Sequence, residues 1–145
     1  MSILPIFIPH AGCPHQCVFC NQKKISGQHS AALASARQQI ARWRSWLRPS
    51  LAHEAAFYGG SFTGLPLELQ RKLLQLTDEL LAEGFIGSVR LSTRPDYIDE
   101  ERLELLKQHH VELVELGVQS LDDKVLQAAE RGHTAAAVTT AMALL

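Results

Sequence analysis

The 145-residue chain reads as an α/β domain on a parallel sheet of about four strand-helix units. Two observations predict this. Apolar runs of strand length alternate with longer segments whose apolar residues recur at three- and four-residue steps, the order that βαβ units produce. The residues of chemical interest also fall just after each apolar run, at the edge where barrels of parallel strands build their sites. With 46% hydrophobic residues, the chain has room for one domain with a sizeable core.

The elements follow in order. Ile3 to Ile8 reads as a buried first strand. Leu33, Ala36, Ile40, Trp43 and Leu47 then share one face of a helix near residues 30 to 48, with its two tryptophans as packing residues. Ala52 to Tyr58 is the second strand and ends in Gly59-Gly60; Leu69, Leu73, Leu76 and Leu80 stripe the next helix, and Pro66 suits its start. Gly84 and Gly87 turn the chain into a third strand, Ser88 to Ser92. Pro95 and Asp96 open a helix with Leu103 and Leu106 inward, and His109 and His110 at its end read as surface residues. Val111 to Val118 is the fourth strand, and Ser120 with Asp123 has capping-box spacing for the helix beyond it.

All 3 cysteines lie in Cys13-Pro14-His15-Gln16-Cys17-Val18-Phe19-Cys20, directly after the first strand. A Cys-x3-Cys-x2-Cys loop can place three thiolates on one 4Fe-4S cluster, leaving one iron open to another ligand. The same loop suits zinc, with His15 or His10 as fourth ligand, because thiolate and imidazole both favour that metal. A disulfide framework fits poorly, since the number of cysteines is odd and nothing marks the chain as secreted. The first residues carry no basic leader with a small-residue cleavage site, and no apolar stretch reaches the length of a membrane span. The expectation is a cytoplasmic protein in a reducing compartment.

The formal net charge of -1 hides an asymmetry. Residues 1 to 50 hold no Asp or Glu but carry Lys23, Lys24, Arg37, Arg42, Arg44 and Arg48. A basic segment beside the cysteine loop would steer an acidic electron-transfer protein or a polynucleotide toward it. The plainer alternative is a solvated helix face.

Four loops would face one site: the cysteine loop, Gly59-Gly60-Ser61-Phe62-Thr63, Ser92-Thr93-Arg94-Pro95-Asp96 and Gly117-Val118-Gln119-Ser120, with Arg131-Gly132-His133-Thr134 further on. In this order, from about Ile6 to Thr134, the motifs resemble the radical S-adenosylmethionine (SAM) superfamily, nearest the branch of the Elongator catalytic subunit and the oxygen-independent coproporphyrinogen oxidases. The resemblance puts the cluster ahead of zinc. It implies that Cys13, Cys17 and Cys20 hold a 4Fe-4S cluster whose open iron is chelated by the amino and carboxylate groups of SAM, and that one electron cleaves the sulfonium to a 5'-deoxyadenosyl radical. Phe19 would flank the adenine, Gly59 and Gly60 would let backbone approach the methionine end, and Ser61 and Thr63 would line the same edge. Gln119 would bond the ribose, and Arg131 would pair with the SAM carboxylate through its planar fork. The plainer alternatives are a loop-satisfying role for Gln119, an exposed helix-end position for Arg131 and a cap for Ser120. Arg94 either orients its loop or contacts ligand, and His10 and His15 pack around the cluster. No residue is assigned a catalytic proton-transfer role.

The resemblance further implies an oxidoreductase-type enzyme with a flavodoxin-like or ferredoxin-like donor. Transfer RNA is one substrate among several compatible classes. Two departures matter. Ser92 stands where the Elongator branch has Glu before Thr-Arg-Pro-Asp, and residues 1 to 145 match only the first four units of a family barrel. The expectation is therefore a truncated partial (β/α) barrel, a radical SAM core lacking its last strands, that needs a complementary fragment or self-association. The alternative is a noncatalytic metal-binding fragment, iron-sulfur or zinc, with an incomplete SAM pocket.

Overall fold

The computed structural model describes residues 2–8, 12–20 and 32–145. His10, Lys23, Lys24 and the expected opening of the first helix at residues 30 and 31 lie outside the described residues. Four strands, β1 (Ser2–Phe7), β2 (His53–Tyr58), β3 (Ser88–Thr93) and β4 (Val111–Leu116), form a parallel sheet in the order β1-β2-β3-β4. Helices α1 (Ala32–Trp46), α2 (Leu67–Ala82) and α3 (Glu100–Gln108) connect them, and α4 (Asp123–Ala128) and α5 (Ala135–Leu144) follow. The sheet is not closed, so the molecule is the partial α/β barrel that the alternation predicts.

Side-chain alternation decides which face is core. Leu4 and Ile6 on β1, Ala55 and Phe57 on β2, and Val89 and Leu91 on β3 are almost completely buried, and Leu73, Leu74, Leu76 and Leu80 of α2 join the same core. The opposite, concave face is mixed. Ile3 and Phe7, in register with Glu54 and Tyr58, are 43% and 55% exposed, so β1 is buried on one face rather than both.

Several boundaries shift for local reasons. Pro95 opens a 3-10 turn, Pro95–Tyr97, and α3 begins at Glu100, where the Asp99 carboxylate accepts from the Arg102 N–H. Asp122, not Ser120, caps α4 through the Lys124 N–H; the Ser120 hydroxyl accepts from the Asp122 N–H one step earlier. Pro66 occupies the N-cap of α2, and β4 stops at Leu116, two residues before Val118. His109 is buried, its Nδ1 2.6 Å from the Asp78 carboxylate, which corrects its reading as a surface residue.

The two edges of the sheet differ. On β1 the side-chain amide of Gln39 accepts from the Phe7 N–H at 2.8 Å and donates to the Phe7 carbonyl at 2.9 Å, as a neighbouring strand would. The Trp43 indole N–H donates to the Pro5 carbonyl at 3.1 Å. Edge β4 has no strand beyond it among the described residues, and its Leu113 is 42% exposed.

Candidate functional site

The loops after the four strands meet at one cavity of about 510 Å³ at the C-terminal edge of the sheet. Cys13, Cys17 and Cys20 all line it, with Phe19, Gly60, Ser92, Arg94, Glu115, Gln119 and Arg131.

The cysteine loop is seated by backbone contact. Gly12 has φ +90, and a Cβ there would strike the Ser61 carbonyl, while a Cβ on Gly64 would strike the Gly12 carbonyl. Only two residues without side chains allow the loops after β1 and β2 to approach this closely. On its other side the loop leans on the turn after α4: the Val18 N–H donates to the Ala129 carbonyl at 3.2 Å, and the His15 ring lies directly against Gly132. Cys17 is buried and Cys20 donates its N–H to the Cys17 carbonyl at 2.9 Å. Burial pushes the Cys13 thiol up from its ordinary value, against the opposing pull of Arg94, the Ser61 backbone and Arg131.

Beneath the cavity lies a hydroxyl knot. Thr93 Oγ1 stands 2.9 Å from Ser61 Oγ and 2.5 Å from Thr63 Oγ1, and all three residues are buried. Ser61 and Thr63 therefore tie the second and third loops together from below and do not line the cavity. Gly60 lines it, and Gly59, with φ +93, packs beside the Ile8 backbone.

Arg131 is 8% exposed, not at an open helix end. Its Nη1 lies 3.5 Å from Cys17 Sγ, its Nη2 donates to the Gly117 carbonyl at 2.6 Å, and its Nε donates to His133 Nε2 at 3.2 Å. That last bond requires an unprotonated Nε2, and burial accordingly lowers the His133 pKa below its ordinary value, with Arg131 and Arg94 adding to the effect against Thr134 and Asp96. Arg94, 3% exposed, grips Asp96 with two 2.9 Å bonds, so its charge is internally paired. Gln119 reaches the cavity from a left-handed backbone conformation, φ 69.

Glu115 is the cavity residue that motif reading missed, and it is the cavity's carboxylate. It faces Ser92 in the β3–β4 register, accepting from the Ser92 hydroxyl at 2.7 Å and from Arg90 Nη2 at 2.5 Å. Arg90 also binds Glu54 at 3.1 Å. Burial works against the Arg90 charge, but Glu115 and Glu54 outweigh it and raise its pKa further. A Glu late in the run Val111 to Val118, at the strand end two residues before Gly117, was the available signal.

The Radical SAM superfamily model matches residues 7–145. An uncharacterized protein of Methanocaldococcus jannaschii is 30% identical, over 84% of this chain and 41% of its own length. An oxygen-independent coproporphyrinogen-III oxidase-like protein of Bacillus subtilis is 25% identical, over 89% of this chain and 28% of its own. The chain thus spans less than half the length of these relatives. The archaeal Elp3 of Methanocaldococcus infernus, with an N-terminal deletion, superposes with a TM-score of 0.63 at 18% identity, covering 96% of this chain and 34% of that one, a likeness of fold. With its family match running from the end of β1 through the cysteine loop to the last helix, the chain belongs to the radical SAM superfamily.

Proposed function

We propose that Cys13, Cys17 and Cys20 hold a 4Fe-4S cluster and that the cavity binds SAM for reductive cleavage. The observation that carries this reading is the meeting of all three cysteines with Gly60, Gln119 and Arg131 around one cavity. The donor set fits a cluster. Three cysteines of one loop line the cavity together. A cluster takes each thiolate on a separate iron and leaves one iron open for another ligand. When bound, the cluster and SAM supply one-electron cleavage of the sulfonium to a 5'-deoxyadenosyl radical.

The chain's own residues would bind and orient. Phe19 and Gln119 flank the nucleoside, Gly60 leaves room at the methionine end, and Arg131 holds Cys17 while facing the carboxylate. Ser61 and Thr63 fix the loops that carry these groups. On this reading residues 1 to 145 form the first four units of a radical SAM core in a cytoplasmic oxidoreductase, served by a flavodoxin-like or ferredoxin-like donor. Transfer RNA is a substrate class compatible with the basic first third, and the open β4 edge favours a complementary fragment or self-association. No helix among the described residues is long and apolar enough to cross a membrane.

The open cavity and the short span relative to relatives support a second reading, a noncatalytic fragment that holds a cluster or zinc without a complete SAM pocket. Anaerobic reconstitution with iron and sulfide, followed by electron paramagnetic resonance with and without SAM, separates them. The first reading expects a 4Fe-4S signal that changes with SAM, and deoxyadenosine on reduction that Cys17→Ala abolishes with the fold intact. A cluster indifferent to SAM, or bound zinc alone, selects the second.

A further inference from the structure

We infer that Arg131 is the built-in counter-ion of the cysteine loop: its N–H on Cys17 Sγ, and the charge behind it, raise the reduction potential of the cluster held there and ease its one-electron reduction; this rests on the cluster half of the reading above and is independent of SAM. Two arginines are buried at the cavity, and they differ in how their charge is met. Arg94 grips the Asp96 carboxylate with both arms of its fork. Arg131 has no carboxylate within ion-pair distance among the described residues. Its partners are the Gly117 carbonyl, the unprotonated Nε2 of His133 and Cys17 Sγ, and the first two bring no charge.

A cation buried without a counter-charge is costly. Cys17, itself buried and 3.5 Å from Nη1, is the partner that becomes an anion as a thiolate on iron. The guanidinium field also reaches Cys13, where burial raises the thiol pKa and Arg131 is among the groups that oppose it. Reduction adds one negative charge to the cluster and its thiolates. A charged N–H donor favours the more negative state, and it acts strongly here because Arg131 and Cys17 are both buried. Gly117 and His133 hold the guanidinium from its other side, so it stays aimed at the sulfur. The electron comes from the flavodoxin-like or ferredoxin-like donor, which is oxidised by one electron as the cluster is reduced by one. No bond forms or breaks in that step, and Arg131 keeps its protons.

The test is a potentiometric titration of the reconstituted full chain without SAM, followed by the paramagnetic resonance signal of the reduced cluster. Arg131→Gln keeps an amide donor and removes the charge; at any fixed potential its ratio of reduced to oxidised cluster should fall about tenfold, equivalent to about 59 mV for one electron. That ratio is read only on chains that hold a cluster, so partial loss of iron does not disturb it. Should Arg131→Gln hold none, Arg131→Lys, whose point charge cannot serve Cys17, Gly117 and His133 together, carries the test with a fall in the same direction. A variant cluster that titrates at or above the wild-type potential overturns the inference and leaves the cluster and SAM reading standing. Failure of both variants to hold any cluster also overturns it, because Arg131 is then a prop of the loop rather than a group that sets its potential. A wild-type cluster indifferent to added SAM, with the variant potential lowered, upholds the inference and removes the SAM half of the reading. A wild-type chain that assembles no cluster overturns both.

Discussion

Arg131 is coupled to three loops through one side chain, to Cys17, to the Gly117 carbonyl and to His133. Lysine cannot reproduce that fork. Arg131→Lys should therefore reduce cluster retention as well as SAM binding, measured as iron per chain after desalting, whereas a residue serving only the SAM carboxylate would spare the iron. Protonation of His133 would break the Arg131 contact and place two cations together. The His133 pKa is lowered in the fold, so its contribution to stability is complete above about pH 6.5, the unfolded value, and is lost as pH falls through the folded value. Urea midpoints between pH 7 and pH 5 should fall more steeply for the wild type than for His133→Gln. At Gly12, the left-handed φ alone costs an alanine ~1–2 kcal/mol. Gly12→Ala should lower the thermal midpoint and impair cluster assembly together. Motif order exposed Cys13, Cys17, Cys20, Gly60, Gln119 and Arg131 as residues around one cavity, because all but Arg131, which sits in the turn after α4, lie on strand-end loops. It misplaced Ser61 and Thr63, since a hydroxyl turned down onto Thr93 reads the same in sequence as one turned up. It passed over Glu115, whose partners Arg90 and Ser92 are more than twenty residues away along the chain and adjacent only across a strand pair.

Among the elements, apolar runs and helical periodicity placed the strands and the three connecting helices because each turns apolar residues into the core. The starts of α3 and α4 were less legible. Ser and Asp stand before both, with Pro95 also ahead of α3, and more than one is a competent cap; the winner is decided by where the preceding loop ends. Asp99→Ala removes the α3 cap and the Arg102 pairing, and should cost about 1 kcal/mol in a urea titration. The corresponding Ser120→Ala change should be close to neutral, because Asp122 provides the cap. His109 was misread for the same reason that Glu115 was missed: Asp78, its partner, belongs to a different helix.

At the scale of the whole molecule, the partial barrel was legible because four apolar runs separated by helical stripes admit few other parallel arrangements. What the pattern could not supply was the state of the two edges, which depends on single side chains. Gln39 occupies both backbone groups of Phe7, and Trp43 takes the Pro5 carbonyl, whereas β4 displays Leu113 and a free ladder side. Gel filtration over a concentration series should show association, and Leu113→Lys should suppress it without changing the far-ultraviolet circular dichroism. The inequality of the edges also sets the stoichiometry of any such association. With Phe7 and Pro5 covered on the β1 flank, a two-fold β4 to β4 contact uses the strand edge left open among the described residues and, being two-fold, is not repeated by a third chain. Assembly by this route ends at a pair, and Gln39 and Trp43 on the opposite edge work against its extension into a fibre.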